Sequence, residues 1–330
     1  MARFIILLCA IAAASALPAQ DQVITRLVPD GPRFMYAEGE DGQSQLVDSW
    51  IKVSDLARMA RYNPEQSNQY HLFTRSNPTV SQPLVIGNNL ILQQSNFNPQ
   101  RRTVVLIHGF LGSATAGSNA ALVPAYLQGE DVNVIVFDWS AGSHWGPNGS
   151  LAGRAAALFF NWLNQMTGAT ASQYHIIGFS VGGHMAGIVA RFMNGNVAYV
   201  TALDPASRWE LDDLVGPNDS LYTEVIHTSA GVSGWGDPLG HTDFYPNGGR
   251  VMPGCLLNVI CDHQRSYEYM AESVATAGFT NSIECRNRAE ASIGACTLTR
   301  RLHMGGRIPK TGATGLYFLT TNRSRPFSIA

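Results

Sequence analysis

Five short segments of this chain are apolar almost throughout. They are TVVLI (103–107), VNVIVFDW (132–139), YHIIGF (174–179), VAYVTALD (197–204) and YTEVIHT (222–228). β-Branched residues recur in them, and polar and apolar positions alternate little. A strand wetted on one face alternates; a strand covered on both faces does not. Stretches 118–127, 151–166 and 182–193 read as helices between the first four. Alternation of buried strand and helix predicts an α/β chain with a mostly parallel, doubly wound sheet. YHLFTR (70–75) and LVIGNNLIL (84–92) predict short strands joined to turns ahead of this block, and GLYFLTT (315–321) one more strand behind it. There is no internal repeat, and residues 66–330 read as one catalytic domain.

The N-terminus has a different character. Arg3 precedes an apolar run from Phe4 to Ala14, too short to span a bilayer, and Ala14-Ser15-Ala16 reads as a cleavage site. This pattern predicts a signal peptide over 1–16 and a secreted, extracellular protein. Residues 17–65 read as an extension or prosegment with a short helix, capped by Ser54 and carrying Leu56, Met59 and Ala60 on one face. No later stretch is long and apolar enough for a transmembrane segment.

Cysteine usage fits an oxidising compartment. Cys9 leaves with the signal, and Cys255, Cys261, Cys285 and Cys296 remain. Four cysteines allow three pairings; proximity favours Cys255 with Cys261 and Cys285 with Cys296. Asn148, Asn218 and Asn322 begin glycosylation sequons. The net charge is −2, which offers no basic field to nucleic acid. The chain has 20 arginines and two lysines, Lys52 and Lys310. Arginine keeps its charge where lysine loses it. An alkaline fluid such as a gut lumen is one reading of that bias; nucleotide composition is the other.

Functional groups of such a sheet gather at the carboxyl ends of its strands. TVVLI runs into His108-Gly109-Phe110, YHIIGF into Ser180, and VAYVTAL into Asp204-Pro205. GFSVGGH (178–184) has the G-x-S-x-G pattern between a strand and a helix, which predicts a nucleophile elbow at Ser180. A serine nucleophile needs a base and an orienting acid, following it in the order acid, histidine on this fold. Asp204 ends a buried strand and is the best-placed acid; Asp212, Asp213 and Asp219 lie in a polar stretch and read as solvated. Among the later histidines, His184 reads as local packing and His227 as a support residue. His241 and His263 lie in loop-rich sequence. His263 follows Cys261 and precedes a helix, RSYEYMAESVA, and anchoring of that kind suits a base. The oxyanion donors expected are the N–H groups of Val181 and Phe110.

Several stretches together carry a family resemblance. VVLIHGF (104–110), VFDW (136–139), GFSVGGHMAG (178–187), LDPA (203–206), VIHT (225–228), GHTDFYPNGG (240–249), MPGC (252–255) and CDHQRSYEYMAES (261–273) occur in the order found in the pancreatic lipase family. The chain resembles its insect branch most, which includes moth midgut neutral lipases. The resemblance implies an α/β-hydrolase fold and hydrolysis of glycerolipid acyl esters at a lipid–water interface. It puts the nucleophile on Ser180, the acid on Asp204, the base on His263 and the oxyanion donors on Phe110 and Val181.

Some features depart from the family. Phe179 and Val181 flank the serine where His and Leu are common, and Gly183 replaces a common Ala. Only LLNVI separates Cys255 from Cys261, where relatives carry a lid, and the loop 229–240 is short. Short loops accompany phospholipase A1 or galactolipase activity in relatives. The calcium-binding stretch matches poorly around Leu211 to Asp219, so no metal and no cofactor are expected. The β-sandwich that binds colipase is not expected either. The competing reading is a non-catalytic lipid-binding or storage protein, as in insect yolk proteins, which share the fold and have lost the nucleophile.

Overall fold

The computed structural model describes residues 61–329 apart from 145–147, 208–212 and 277, together with 23–26, 33–38, 44–48 and 50–52. The expected signal segment, the helix expected around Ser54, Leu56, Met59 and Ala60, and Asp212 lie outside the described residues. Four N-terminal strands, β1 (Val23–Arg26), β2 (Phe34–Glu38), β3 (Ser44–Asp48) and β4 (Trp50–Lys52), pair as β1 with β4 and β2 with β3. These two small sheets are separate from the main one.

The main sheet has ten strands. In chain order they are β5 (Gln69–Phe73), β6 (Gln82–Leu84), β7 (Thr103–Ile107), β8 (Asn133–Asp138), β9 (Tyr174–Phe179), β10 (Tyr199–Leu203), β11 (Thr223–Ile226), β12 (Thr242–Pro246), β13 (Ile283–Cys285) and β14 (Gly315–Leu319). Their spatial order is β13-β14-β12-β11-β10-β9-β7-β8-β5-β6. The seven strands from β14 to β8 run parallel, and β13, β5 and β6 add antiparallel edges.

Strand order reverses between β7 and β9, because the chain steps out to β8 and returns on the other side. The crevice beyond such a switch point is where ligands bind in open parallel sheets. Helices α1 (Pro64–Ser67), α2 (Asn89–Gln94), α3 (Gly117–Gly129), α4 (Asn148–Thr167), α5 (Val181–Phe192), α6 (Val259–Thr276) and α7 (Arg288–Ile293) complete the fold. α4 and α5 pack together on one face of the sheet, α3 and α6 on the other. Strand β7 is buried along its whole length. Its Val105 and Ile107 enter the first core, and Val104 and Leu106 the second. Period-two geometry sends neighbours to opposite faces, which is why the sequence shows no polar alternation.

The fold departs from the sequence reading at several points. LVIGNNLIL is not one strand. The strand stops at Leu84, Gly87 turns at a φ of +77°, and the Asn88 side chain accepts from Ile91 N at 3.1 Å to start α2. His263 is not ahead of a helix but in its second turn. Asn258 caps that helix by accepting from Ile260 N (3.0 Å) and Cys261 N (3.1 Å), several residues earlier than RSYEYMAESVA suggests. Asn148 is buried, and its amide donates to Gly142 O at 3.2 Å, so the folded chain does not offer it to a glycosylating enzyme. Asn218 is exposed. The Asn322 amide donates to the carbonyls of Pro326 and Ser328. The disulfides are Cys255–Cys261 and Cys285–Cys296.

Candidate active site

Ser180 sits between β9 and α5 with φ 57° and ψ −122°. A non-glycine residue with positive φ is strained and persists only where its surroundings hold it. Three main-chain bonds do so. Ser180 N donates to Leu203 O at 3.0 Å, and Ser180 O accepts from Gly183 N (2.9 Å) and Ala206 N (3.2 Å). The flanking glycines are required by contact. A Cβ on Gly178 would overlap the carbonyl of Gly182, and one on Gly182 would overlap Ile107 O and lie 2.7 Å from His108 O. The first turn of α5 therefore lies directly on the end of β7. Ser180 itself is 8% exposed.

The end of β10 supplies Asp204, also at positive φ (44°) and fully buried. Its Oδ2 accepts from His263 Nδ1 at 2.5 Å. Thr228 N (2.7 Å) and Ser229 N (3.1 Å) donate to Oδ1, and the Ser229 hydroxyl donates to Oδ2. Burial opposes ionisation of Asp204. The bond and charge of His263, the Ser229 hydroxyl and the Thr228 N–H outweigh it and hold the carboxyl below its ordinary range. Four donors on one buried carboxylate fix its orientation, and through it the ring of His263. Phe179, the residue before Ser180, packs its ring on His263 with centroids 4.5 Å apart. The structure thus brings Asp204 and His263 into direct contact, with Phe179 of the elbow on His263 and Ser180 N bonded to Leu203 O, the residue before Asp204. Ser229 carries no signal in the sequence; it is one of many loop serines until the fold brings it to Asp204.

The loop after β7 carries Phe110. Leu111 has φ 55°, and Gly112 N donates to Gly109 O at 3.2 Å, closing a tight turn. Val181 is the first residue of α5, where no intrahelical carbonyl takes the N–H. His108 anchors the loop from below. Its Nε2 lies 3.0 Å from Asp138 Oδ1, and its carbonyl accepts from Trp139 Nε1 at 2.9 Å. Asp138 ends β8 just as Asp204 ends β10, and that shared strand-end position was the available clue. Burial of Asp138 works against its charge, but the His108 bond and charge, with the Ser140 N–H, bring its pKa down to about 2. A depressed folded value stabilises the fold above the ordinary value of 3.8 and loses that effect as pH falls toward about 2. Thermal midpoints measured across that window should fall less steeply for Asp138→Asn than for the parent.

A second buried pair sits behind the Asp204 loop. His227 Nδ1 lies 2.8 Å from Trp235 O and Nε2 3.0 Å from Asp243 Oδ1, with Tyr245 stacked on the ring at 4.4 Å. Support is the role expected for His227, and the structure adds Asp243 on β12 as its partner. His184 is buried, its Nε2 donating to Ala206 O at 2.9 Å and its Nδ1 accepting from Val215 N. Burial lowers its pKa to about 4 against the pull of the Ala206 carbonyl. His241 accepts from Thr223 N at 3.0 Å through Nδ1. Asp219 is buried rather than solvated. Arg191 reaches it at 2.7 Å and also binds Asp213 at 3.1 Å, while Arg154 takes the other oxygen of Asp213 at 2.7 Å. The expectation failed because helix α5 delivers a guanidinium to the loop.

Topology and strand–turn–helix geometry define an α/β-hydrolase. The chain belongs to the Lipase family, whose model matches residues 34–327. It is 32% identical over 289 residues to pancreatic triacylglycerol lipase of Myocastor coypus, covering 75% of this chain and 60% of the relative. It is 33% identical over 302 residues to that of Sus scrofa, covering 79% and 67%. The corresponding figures for Equus caballus are 30% over 310 residues, 81% and 67%. The chain thus spans about 60% of the length of the first of these relatives.

Proposed function

We propose that the protein is a secreted serine carboxylic-ester hydrolase acting on acyl esters of glycerolipids. The observation that carries this reading is the pair of buried Asp204 and half-buried His263 beside the strained Ser180 turn, at the carboxyl ends of the central strands β9 and β10. Ser180 Oγ attacks the acyl carbonyl carbon while His263 takes its proton. Asp204 stabilises the resulting imidazolium. The N–H groups of Phe110 and Val181 bind the oxyanion. His263 returns the proton to the leaving glycerol oxygen, leaving the acyl group on Ser180. Water, activated by His263, then attacks the acyl-enzyme and releases the fatty acid. Two disulfides suit an oxidising compartment and support secretion after loss of residues 1–16.

The names of the relatives favour triacylglycerol as substrate. The five-residue LLNVI stretch favours phospholipid or galactolipid instead. A panel of emulsified triolein, phosphatidylcholine and monogalactosyl lipid tests both. Release of fatty acid from triolein is the expected result. Cleavage of phosphatidylcholine alone, at sn-1, moves the substrate to phospholipid, and cleavage of none overturns the function.

Two further outcomes follow from the site. Ser229 donates to the Asp204 oxygen that faces His263. Without that donor the carboxylate that orients the His263 ring is held less firmly. Ser229→Ala should lower kcat roughly tenfold while the thermal midpoint stays near that of the parent. A variant with the parent's kcat, or one whose rate falls only with its midpoint, would leave Ser229 only a structural part. Chelation should leave hydrolysis unchanged, because Asp213 and Asp219 are committed to Arg154 and Arg191. Loss of rate in EDTA, restored by calcium, would contradict this.

A further inference from the structure

The loop between Cys255 and Cys261 has a conformation that its own chain does not reward. Leu256 and Leu257 lie at φ 52° and 65°, a region that branched, bulky side chains rarely adopt. They are 85% and 79% exposed, the two most exposed large apolar side chains among the described residues. Backbone strain and apolar exposure both oppose this arrangement, and neither is offset by packing within the molecule.

The loop is nevertheless held firmly. The disulfide closes it, Asn258 N donates to Cys255 O at 2.9 Å, and Cys255 N donates to Met252 O at 3.1 Å. Asp262, next to His263, accepts from Met252 N at 2.6 Å and ties the base of the loop to α6. The leucines are therefore presented permanently, at the end of the helix that carries His263.

The flank of the loop is cationic. The main chain of Arg323 abuts Gly254, and Arg265 Nη2 approaches Arg323 O at 3.4 Å. Arg250, Arg323 and Arg325 are exposed, with the Arg325 guanidinium over the Phe327 ring. Nearby carboxylates are spoken for. Glu268 pairs with Arg265, and Glu272 accepts from the N–H groups of Phe327 and Ser328. An apolar tip beside exposed arginines matches the acyl layer and head groups of an anionic lipid surface.

We propose that Leu256 and Leu257 form a fixed anchor that inserts into an anionic lipid surface, with Arg323 and Arg325 engaging its head groups. The proposal rests on the hydrolase reading and gives it a docking geometry: the surface is met beside His263 without a loop having to open. The apolar burial that the fold lacks is completed in the lipid.

Flotation with ether-linked vesicles, which no esterase cleaves, tests it. Vesicles of phosphatidylcholine alone and mixed with phosphatidylglycerol serve as probes, and p-nitrophenyl butyrate reads soluble-ester hydrolysis in the same samples. The parent should float with the mixed vesicles. Leu256→Ser with Leu257→Ser should weaken that partition on the order of a hundredfold and leave soluble-ester hydrolysis intact. Arg323→Gln with Arg325→Gln should abolish the preference for the mixed vesicles and its sensitivity to salt. Leu256→Gly with Leu257→Gly should lose binding while the thermal midpoint rises, because glycine accepts positive φ. A parent that hydrolyses the butyrate yet floats with neither vesicle overturns the anchor, as does equal flotation of parent and leucine variants. A parent that floats through its leucines but never cleaves the butyrate overturns the hydrolase reading and leaves the anchor standing.

Discussion

Replacing Ser180 by alanine should abolish ester hydrolysis and leave the fold intact. Removing a nucleophile that works as one unit with its base costs roughly 10⁴- to 10⁶-fold in kcat. The turn at Ser180 is held by main-chain bonds from Leu203, Gly183 and Ala206, none of which uses the hydroxyl. Alanine meets the same positive φ as serine, so the strain is unchanged. Circular dichroism and the thermal midpoint should match the parent while initial rates on emulsified and soluble esters vanish. Retained hydrolysis by a folded Ser180→Ala protein would remove Ser180 from the mechanism.

Gly178→Ala should be the most destructive alanine substitution among the described glycines. The new methyl would occupy the space of the Gly182 carbonyl and press on Gly183 N. Those are backbone atoms, so no rotamer change relieves the overlap; α5 would have to lift from β9. That helix packs into the core through Met185, Ala186 and Val189, and lifting it opens the core. A loss above about 4 kcal/mol is expected for a clash of this kind, enough to prevent recovery of folded protein. Gly216→Ala is the matched control. Its φ of −149° is open to any residue and its Cβ would meet nothing within 4 Å, so its midpoint should stay near that of the parent. Equal midpoints for the two variants would contradict the elbow geometry.

The parts of this fold legible in the sequence were those with one-dimensional signatures. Strands β7 to β11 announced themselves because burial on both faces removes polar alternation. The elbow did so because two glycines at fixed offsets answer a local steric demand. Asp204 stands out in the sequence as an acid at the end of a buried strand, and the fold pairs it with His263 as it pairs Asp138, at the end of β8, with His108. What escaped depended on partners distant in sequence. Strand β12 reads TDFYP, opening on two polar residues and closing on proline; it is buried because His227 takes Asp243 and Tyr222 takes Thr242. Ser229 belongs to the site only because its loop folds back over Asp204. Asp219 looked solvated until Arg191 arrived from α5. LVIGNNLIL failed for a local reason: a glycine turn and an asparagine cap split an apolar run into the end of a strand and the start of a helix.

Covalent labelling with a fluorophosphonate tests Ser180 as the activated nucleophile. The reagent phosphonylates a serine only where a base activates it and N–H donors receive the oxyanion. One modified peptide is expected, bearing the label on Ser180, and none in Ser180→Ala or His263→Ala. A folded parent protein that stays unlabelled, or carries its label on another serine, would contradict that role and favour the non-catalytic lipid-binding reading of the same fold.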